Sequence, residues 1–133
     1  MKIMTIVLFL ATLTACTAIQ TQTGGRAVVP GSPYEEVFSA AVQAAMDAGL
    51  TVTKAEKDNG LIVATASHNP FLTYNPPIIN IFVRKVNDTI SISLKSIVHG
   101  QLVDYGTSEN NISAFCSSFL ALYPNATCQV IEK

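Results

Sequence analysis

An α+β two-layer sandwich is the fold class this sequence predicts: a four-stranded antiparallel sheet with two helices on one face, in the order α-β-β-β-β-α. Three observations carry it. An alanine-rich segment of helical period follows Ser32-Pro33, and a second helical stripe runs up to Pro124. Between them, two pairs of Val-, Ile- and Thr-rich runs flank Asn59-Gly60 and Asn87-Asp88.

The first helix opens at Ser32, an N-cap residue, with Pro33 in the first helical position and Glu35 completing a Ser-x-x-Glu capping box. Tyr34, Phe38, Ala41, Ala45 and Ala48 recur at helical spacing, and Val37 widens the stripe. Glu35, Glu36, Gln43 and Asp47 fall on the opposite side. Gly49 closes the helix as a left-handed C-terminal residue does. So many alanines suit a helix that lies close to a sheet.

Residues 50–55 and 61–66 predict a hairpin, since Asn-Gly between two such runs is a strong turn signal. Residues 80–86 and 89–98 predict a second one around Asn87-Asp88. In its last run Ile90, Ile92 and Leu94 alternate with Ser91, Ser93 and Lys95, the pattern of a strand with one buried and one wetter face. The helices are expected on the Ile90 side. Gly106-Thr107-Ser108 then introduces the second helix, to about Tyr123, with Ile112, Phe115, Cys116, Phe119 and Leu122 as its apolar stripe.

Ahead of these elements lies a segment with the parts of an export signal: Lys2, then an apolar run over 3–13, then the small residues Thr14 and Ala15. The run is shorter than the roughly 20 apolar residues of a spanning helix. Cys16 follows directly. Leu13-Thr14-Ala15-Cys16 resembles the signal of the bacterial lipoprotein class, in which the chain is cut before the cysteine and the cysteine is acylated. The resemblance implies a signal peptide over 1–15 and a mature N-terminus at Cys16, bearing a diacylglycerol and an amide-linked acyl chain such as palmitate. With Thr17 next, it implies sorting to the outer membrane, facing the periplasm, in a Gram-negative host, or the outer face of the plasma membrane in a Gram-positive one. The alternative is an ordinary secretory signal in which Cys16 is incidental. Residues 16–31, rich in Thr, Gln and Gly, read as a lipidated flexible tether, with an edge strand over 26–29 as the other reading. Residues 32–133 then form a single α+β domain, because the remaining length suffices for one core and not two.

The chain has 133 residues and a formal net charge of −1. A balance this close to neutral carries no overall electrostatic footprint for nucleic acid or anionic lipid. Cys116 and Cys128 are expected to pair as a disulfide after export, stapling the last helix to the tail Gln129 to Lys133, which can then lie along the sheet edge; two buried free thiols are the alternative. No metal site and no cofactor is expected: His68 and His99 stand in separate loops, far in sequence from each other and from the cysteines.

Nothing in the sequence reads as a catalytic centre. There is no nucleophile elbow and no Gly-rich phosphate loop, and Glu35-Glu36 suits the first turn of a helix, where negative charge meets the dipole. Ser91, Ser93 and Ser96 have no partnering base, so the chain is read as no enzyme. The candidate partner-binding residues are Phe71, Leu72 and Tyr74, held among prolines in the 68–77 connection. The alternative is a lid that folds back on the core edge. A second long connection holds Asp104 and Tyr105.

Three stretches resemble the helix-then-hairpin segment of small bacterial envelope lipoproteins with helix-grip-like domains: Tyr34-Glu35-Glu36-Val37-Phe38-Ser39-Ala40-Ala41, Ala48-Gly49-Leu50-Thr51-Val52 and Asn59-Gly60-Leu61-Ile62-Val63-Ala64-Thr65. The lipoprotein component C of the outer-membrane barrel-assembly machine is a relative in style. The match covers about a quarter of the chain and implies architecture and compartment; no functional residue transfers. Taken together, the expected function is a lipid-anchored, non-catalytic protein-interaction or assembly module of the cell envelope, docking on another envelope protein through the open sheet face or the 68–77 loop. The alternative is a carrier or sensor of a small apolar ligand in a helix–sheet cavity.

Overall fold

A computed structural model describes residues 23–66, 77–97 and 107–132. Six strands and two helices follow in the order β1 (Thr23–Pro30), α1 (Tyr34–Asp47), β2 (Thr51–Glu56), β3 (Leu61–Thr65), β4 (Ile78–Val86), β5 (Thr89–Ile97), α2 (Thr107–Leu122) and β6 (Thr127–Glu132). The strands make one antiparallel sheet in the order β2-β3-β4-β5-β1-β6. Both helices pack on the face that bears Ile90, Ile92 and Leu94, as the alternation in β5 predicts.

The class stands, with two strands more than the four expected. The first addition replaces the tether reading of 16–31 over half of its length. Thr23–Pro30 is a strand, and it lies between β5 and β6 rather than at an edge. Its alternation is weak in composition but clear in register. Ala27 and Val29 are fully buried opposite Ile92 and Ile90, while Arg26 faces solvent opposite Ser93. Gly25 lies on the buried side, and a Cβ there would stand 2.6 Å from Ile112 Cγ2 of α2. A glycine inside a strand marks this close approach of another element. The second addition, β6, pairs with β1 and forms one sheet edge.

Helix α1 corrects the capping expectation. Pro33, in extended conformation, is the N-cap residue and makes no side-chain cap hydrogen bond, so the Ser32–Glu35 box does not form. The Val37 amide closes the first turn on the Pro33 carbonyl at 3.1 Å. At the other end, Gly49 has φ 84°, and its amide donates to Met46 O while that of Leu50 donates to Ala45 O. That double closure is the Schellman arrangement, and Leu50 and Ala45 are both buried against the core. Val37, Phe38, Ala41, Ala44 and Ala45 face the sheet, so the helix rests on a nearly flat alanine surface. In α2, Ile112, Phe115, Cys116 and Phe119 are buried as expected, whereas Leu122 is exposed at the helix end.

Ser96, on the core side of β5, is a buried polar residue. Its hydroxyl shares a 2.7 Å hydrogen bond with that of Ser108 at the start of α2, which satisfies both groups away from water.

Tyr34 ties α1 to the β2–β3 hairpin. Its phenol O–H donates to Lys57 O at 2.8 Å, within the turn that ends at Gly60. Burial first, and Asp58 second, raise the phenol above its ordinary value near 10. The protonated phenol is therefore favoured in the folded chain. Its stabilising effect is complete below the unfolded value and is lost as pH rises through the higher folded one. Unfolding followed in denaturant across alkaline pH should show stability falling above about pH 10. Tyr34→Phe should flatten part of that fall, at a cost near 0.5 kcal/mol at neutral pH for an exposed hydrogen bond. Tyr123, also raised by burial and then by Glu36, keeps the remainder.

Candidate functional site

The sequence-predicted residues divide into those the structure brings together and those outside the described residues. Cys116 on α2 and Cys128 on β6 stand at disulfide distance, with sulfurs 2.08 Å and Cα atoms 5.3 Å apart. Cys128 is opposite Ala27, so the link fastens the edge strand to the helix that covers it. Reducing this link, or Cys116→Ser with Cys128→Ser, should lower the unfolding free energy by about 2–5 kcal/mol in denaturant titrations. Two thiols alkylated without prior reduction would defeat the expectation.

Cys16, Phe71, Leu72 and Tyr74 lie outside the described residues, as do His68, His99, Asp104 and Tyr105. The base of the 68–77 connection is described: Ala66 donates its amide to Pro77 O at 3.0 Å, and both residues are buried. Among the described residues no group of three His, Cys, Asp or Glu side chains is placed to hold a metal ion. No helix among them is long and apolar enough to cross a membrane.

The open face of the sheet, which the sequence reading offers beside the 68–77 loop as a docking surface without naming its residues, carries a groove. Strand register puts Phe82 of β4 and Arg26 of β1 on either side of Ser93 in β5. Arg84 lies opposite Ser91, and Lys95 lies one step beyond Ser93 on the same face. These side chains, with Ile131 of β6, line a groove of about 460 Å³. A second depression of about 220 Å³ continues it along Thr23 and Gly24, past Lys95, to the start of β1. The floor is mixed in chemistry: an aromatic ring, two serine hydroxyls and a rim of three cations.

Charge is not spread evenly over the molecule. Helix α1 carries Glu35, Glu36 and Asp47, helix α2 carries Glu109, and neither contains a lysine or arginine. On the open sheet face Arg26, Arg84 and Lys95 gather at the groove, and Glu56 stands on the same face at the β2 edge. Among the described residues no carboxylate pairs with Arg26, Arg84 or Lys95. The ion pair at the β2 edge, Lys54 Nζ to Glu56 Oε1 at 3.1 Å, is exposed and lies away from the groove. Glu56 is held below the usual carboxylate range by hydrogen bonds from Asn59 and then from Lys54. The near-neutral total thus hides an acidic helical layer backed by a basic groove.

Part of this was readable in advance. Ser91, Ser93 and Lys95 stand out as the polar side of β5, and Phe82 and Arg84 share one parity in β4. Arg26 had no such context, because its strand was read as tether.

Comparison with known proteins adds little to this geometry. No family model and no curated protein matches the chain. A solved structure, described as a conserved protein from Geobacillus kaustophilus, is similar to it at 10% identity and a TM-score of 0.38. The alignment covers 80% of this chain and 99% of that one. No inference is drawn from a likeness at that level.

Proposed function

We propose that the chain is a lipid-anchored protein of the cell envelope, acting as a non-catalytic docking module that assembles with another envelope protein. In a Gram-negative host its place is the outer membrane, facing the periplasm. The observation that carries the reading is the sequence Leu13-Thr14-Ala15-Cys16, which stands only seven residues ahead of Thr23, where β1 begins. A docking role is supported by the open sheet face, whose groove offers hydroxyls, an aromatic ring and cations and has no carboxylate or histidine among its lining residues. The carrier reading needs space between helices and sheet. The described positions in that layer are occupied by large, fully buried side chains such as Phe115, Phe119, Ile62, Ile79 and Ile81. The groove is on the other face of the sheet, so it lends the carrier reading nothing.

Mass spectrometry of the membrane-extracted protein tests the anchor. An acylated N-terminal Cys16 is expected, and Cys16→Ser should release the chain from the membrane fraction. A chain that keeps residues 1–15 or carries an unmodified Cys16 would overturn the reading. Crosslinking in intact cells tests the partner: a reproducible envelope protein attached to the wild type is expected, and its absence would leave an anchored domain without the proposed role.

A further inference from the structure

We infer that the open face of the sheet docks on the anionic lipid headgroups of the membrane that carries the chain's own anchor. The inference rests on the lipid-anchored reading above and names the occupant of the groove.

Three observations converge on it. Arg26, Arg84 and Lys95 rim one groove without a carboxylate partner among the described residues, while the opposite layer holds four acids and no lysine or arginine. A molecule polarised in this way orients in the field of an anionic surface, sheet face inward and helices outward. Register spaces the cations along the face. Arg26 and Lys95 are diagonal neighbours on adjacent strands, about 7–8 Å apart at their backbones, and Arg84 lies further along the groove. Such spacing suits several headgroup phosphates rather than one buried ion, and Ser91 and Ser93 add hydroxyl donors between the charges.

The third observation is the reach of the anchor. From Cys16 to Thr23 the chain extends at most about 25 Å. It joins the domain at the β1 end where the groove continues past Lys95. An acidic segment of a partner protein must reach this face by diffusion. The headgroup layer is held beside it by the chain itself, at high effective concentration. Each basic residue near an anionic bilayer adds attraction that fades within a Debye length, so a short connection is what makes three of them effective. The acidic helical layer, with Glu35, Glu36 and Asp47, is then the side presented to a protein partner.

The test uses the chain from Cys16 to Lys133, which keeps every strand and helix described. With Cys116 and Cys128 paired, its Cys16 thiol couples to a maleimide lipid in preformed vesicles. The domain is thereby anchored whether or not cells acylate Cys16. Vesicles are phosphatidylcholine alone, or phosphatidylcholine and phosphatidylglycerol in equal parts. A water-soluble acylating reagent then reads lysine accessibility by mass spectrometry, with Lys57 on the β2–β3 turn as internal control.

Lys95 is expected to be at least tenfold slower to react on the phosphatidylglycerol vesicles than on phosphatidylcholine, with Lys57 unchanged. Molar salt should restore it. So should Arg26→Gln with Arg84→Gln, which weakens the surface attraction about thirtyfold; circular dichroism confirms that this variant is folded. Equal reactivity of Lys95 on both vesicles would overturn the inference, as would equal protection on both. Protection of Lys95 by soluble polyglutamate, with none from the anionic vesicles, would likewise overturn it and assign the groove to an acidic protein segment. None of these outcomes depends on acylation in the cell, which mass spectrometry of the native N-terminus reads separately.

Discussion

Phe119→Ala should lower the unfolding free energy by about 4 kcal/mol, the largest single loss expected from a side-chain truncation in this domain. Phe119 is fully buried near the C-terminal end of α2 and packs between Phe115 and Tyr123, with ring centroids 5.7 Å and 5.6 Å away. The three rings stand at positions 115, 119 and 123, one helical turn apart, so they form a ladder along one side of the helix. Removing the middle rung leaves a cavity of benzyl size and takes a stacking partner from both neighbours. Ring pairs contribute about 0.5–1.5 kcal/mol beyond the area they bury. Phe119→Leu refills much of the volume without the rings and should cost roughly half as much. Denaturant titrations of the two variants separate cavity from stacking. Equal losses would mean that the ring contacts carry the whole effect, whereas a negligible cost for Phe119→Leu would mean that the rings act only as volume.

Gly60→Ala should cost about 3 kcal/mol, through backbone rather than packing. Gly60 has φ +65° at the end of the β2–β3 turn, in the left-handed region that alanine enters only with strain. It is also buried, and an added Cβ would run into the carbonyl oxygen of Val83 in the neighbouring strand β4. That approach cannot relax cheaply, because Gly60 O accepts from Val83 N–H at 2.8 Å and the Tyr34 hydroxyl stands just above. Moving the turn away therefore breaks a ladder hydrogen bond and the Tyr34 link together. Gly31→Ala gives the control. It shares a positive φ of 65°, yet a Cβ there meets nothing within 4 Å, so only the conformational part, about 1 kcal/mol, should appear. Similar losses at the two positions would show that the contact with Val83 contributes little.

How legible these features were depended on how local their causes are. Helix α1, both hairpins and α2 came from signals within a few residues: the Ala and Phe spacing, Asn59-Gly60, Asn87 with its positive φ of 55°, and Pro124. Strand β1 ranks only as the alternative to a tether in the sequence, as an edge strand over 26–29, because its first residues are Thr23, Gly24 and Gly25, which favour irregular chain in isolation. Gly25 is there for Ile112, on a helix nearly ninety residues later. Strand β6 was obscured differently. Its six residues follow closely on a helix, and its buried side is Cys128 and Val130, opposite Ala27 and Gly25. The Ser32 cap failed because helix geometry starts one residue later than the motif suggests, after Pro33 has already supplied the closing carbonyl. The basic groove was the least legible feature. Net charge sums over the surface, whereas the groove exists only once Arg26, Arg84 and Lys95 are set on one face by the register of three strands.

The place of β1 in the sheet also sets a timetable for folding. Its partners are β5, far along the chain, and β6, further still: Gly24 pairs with Ile131, more than a hundred residues later. Strands β2 to β5 form a local meander and can pair as they emerge. The pairing of β1 with β6 must await β6. Long-range pairings of this kind have high contact order and close slowly, since loop-closure entropy is lost before any contact offsets it. Strand β1 therefore finds its complete partner set only once β6 has formed, so the β1–β6 side of the sheet closes after the meander.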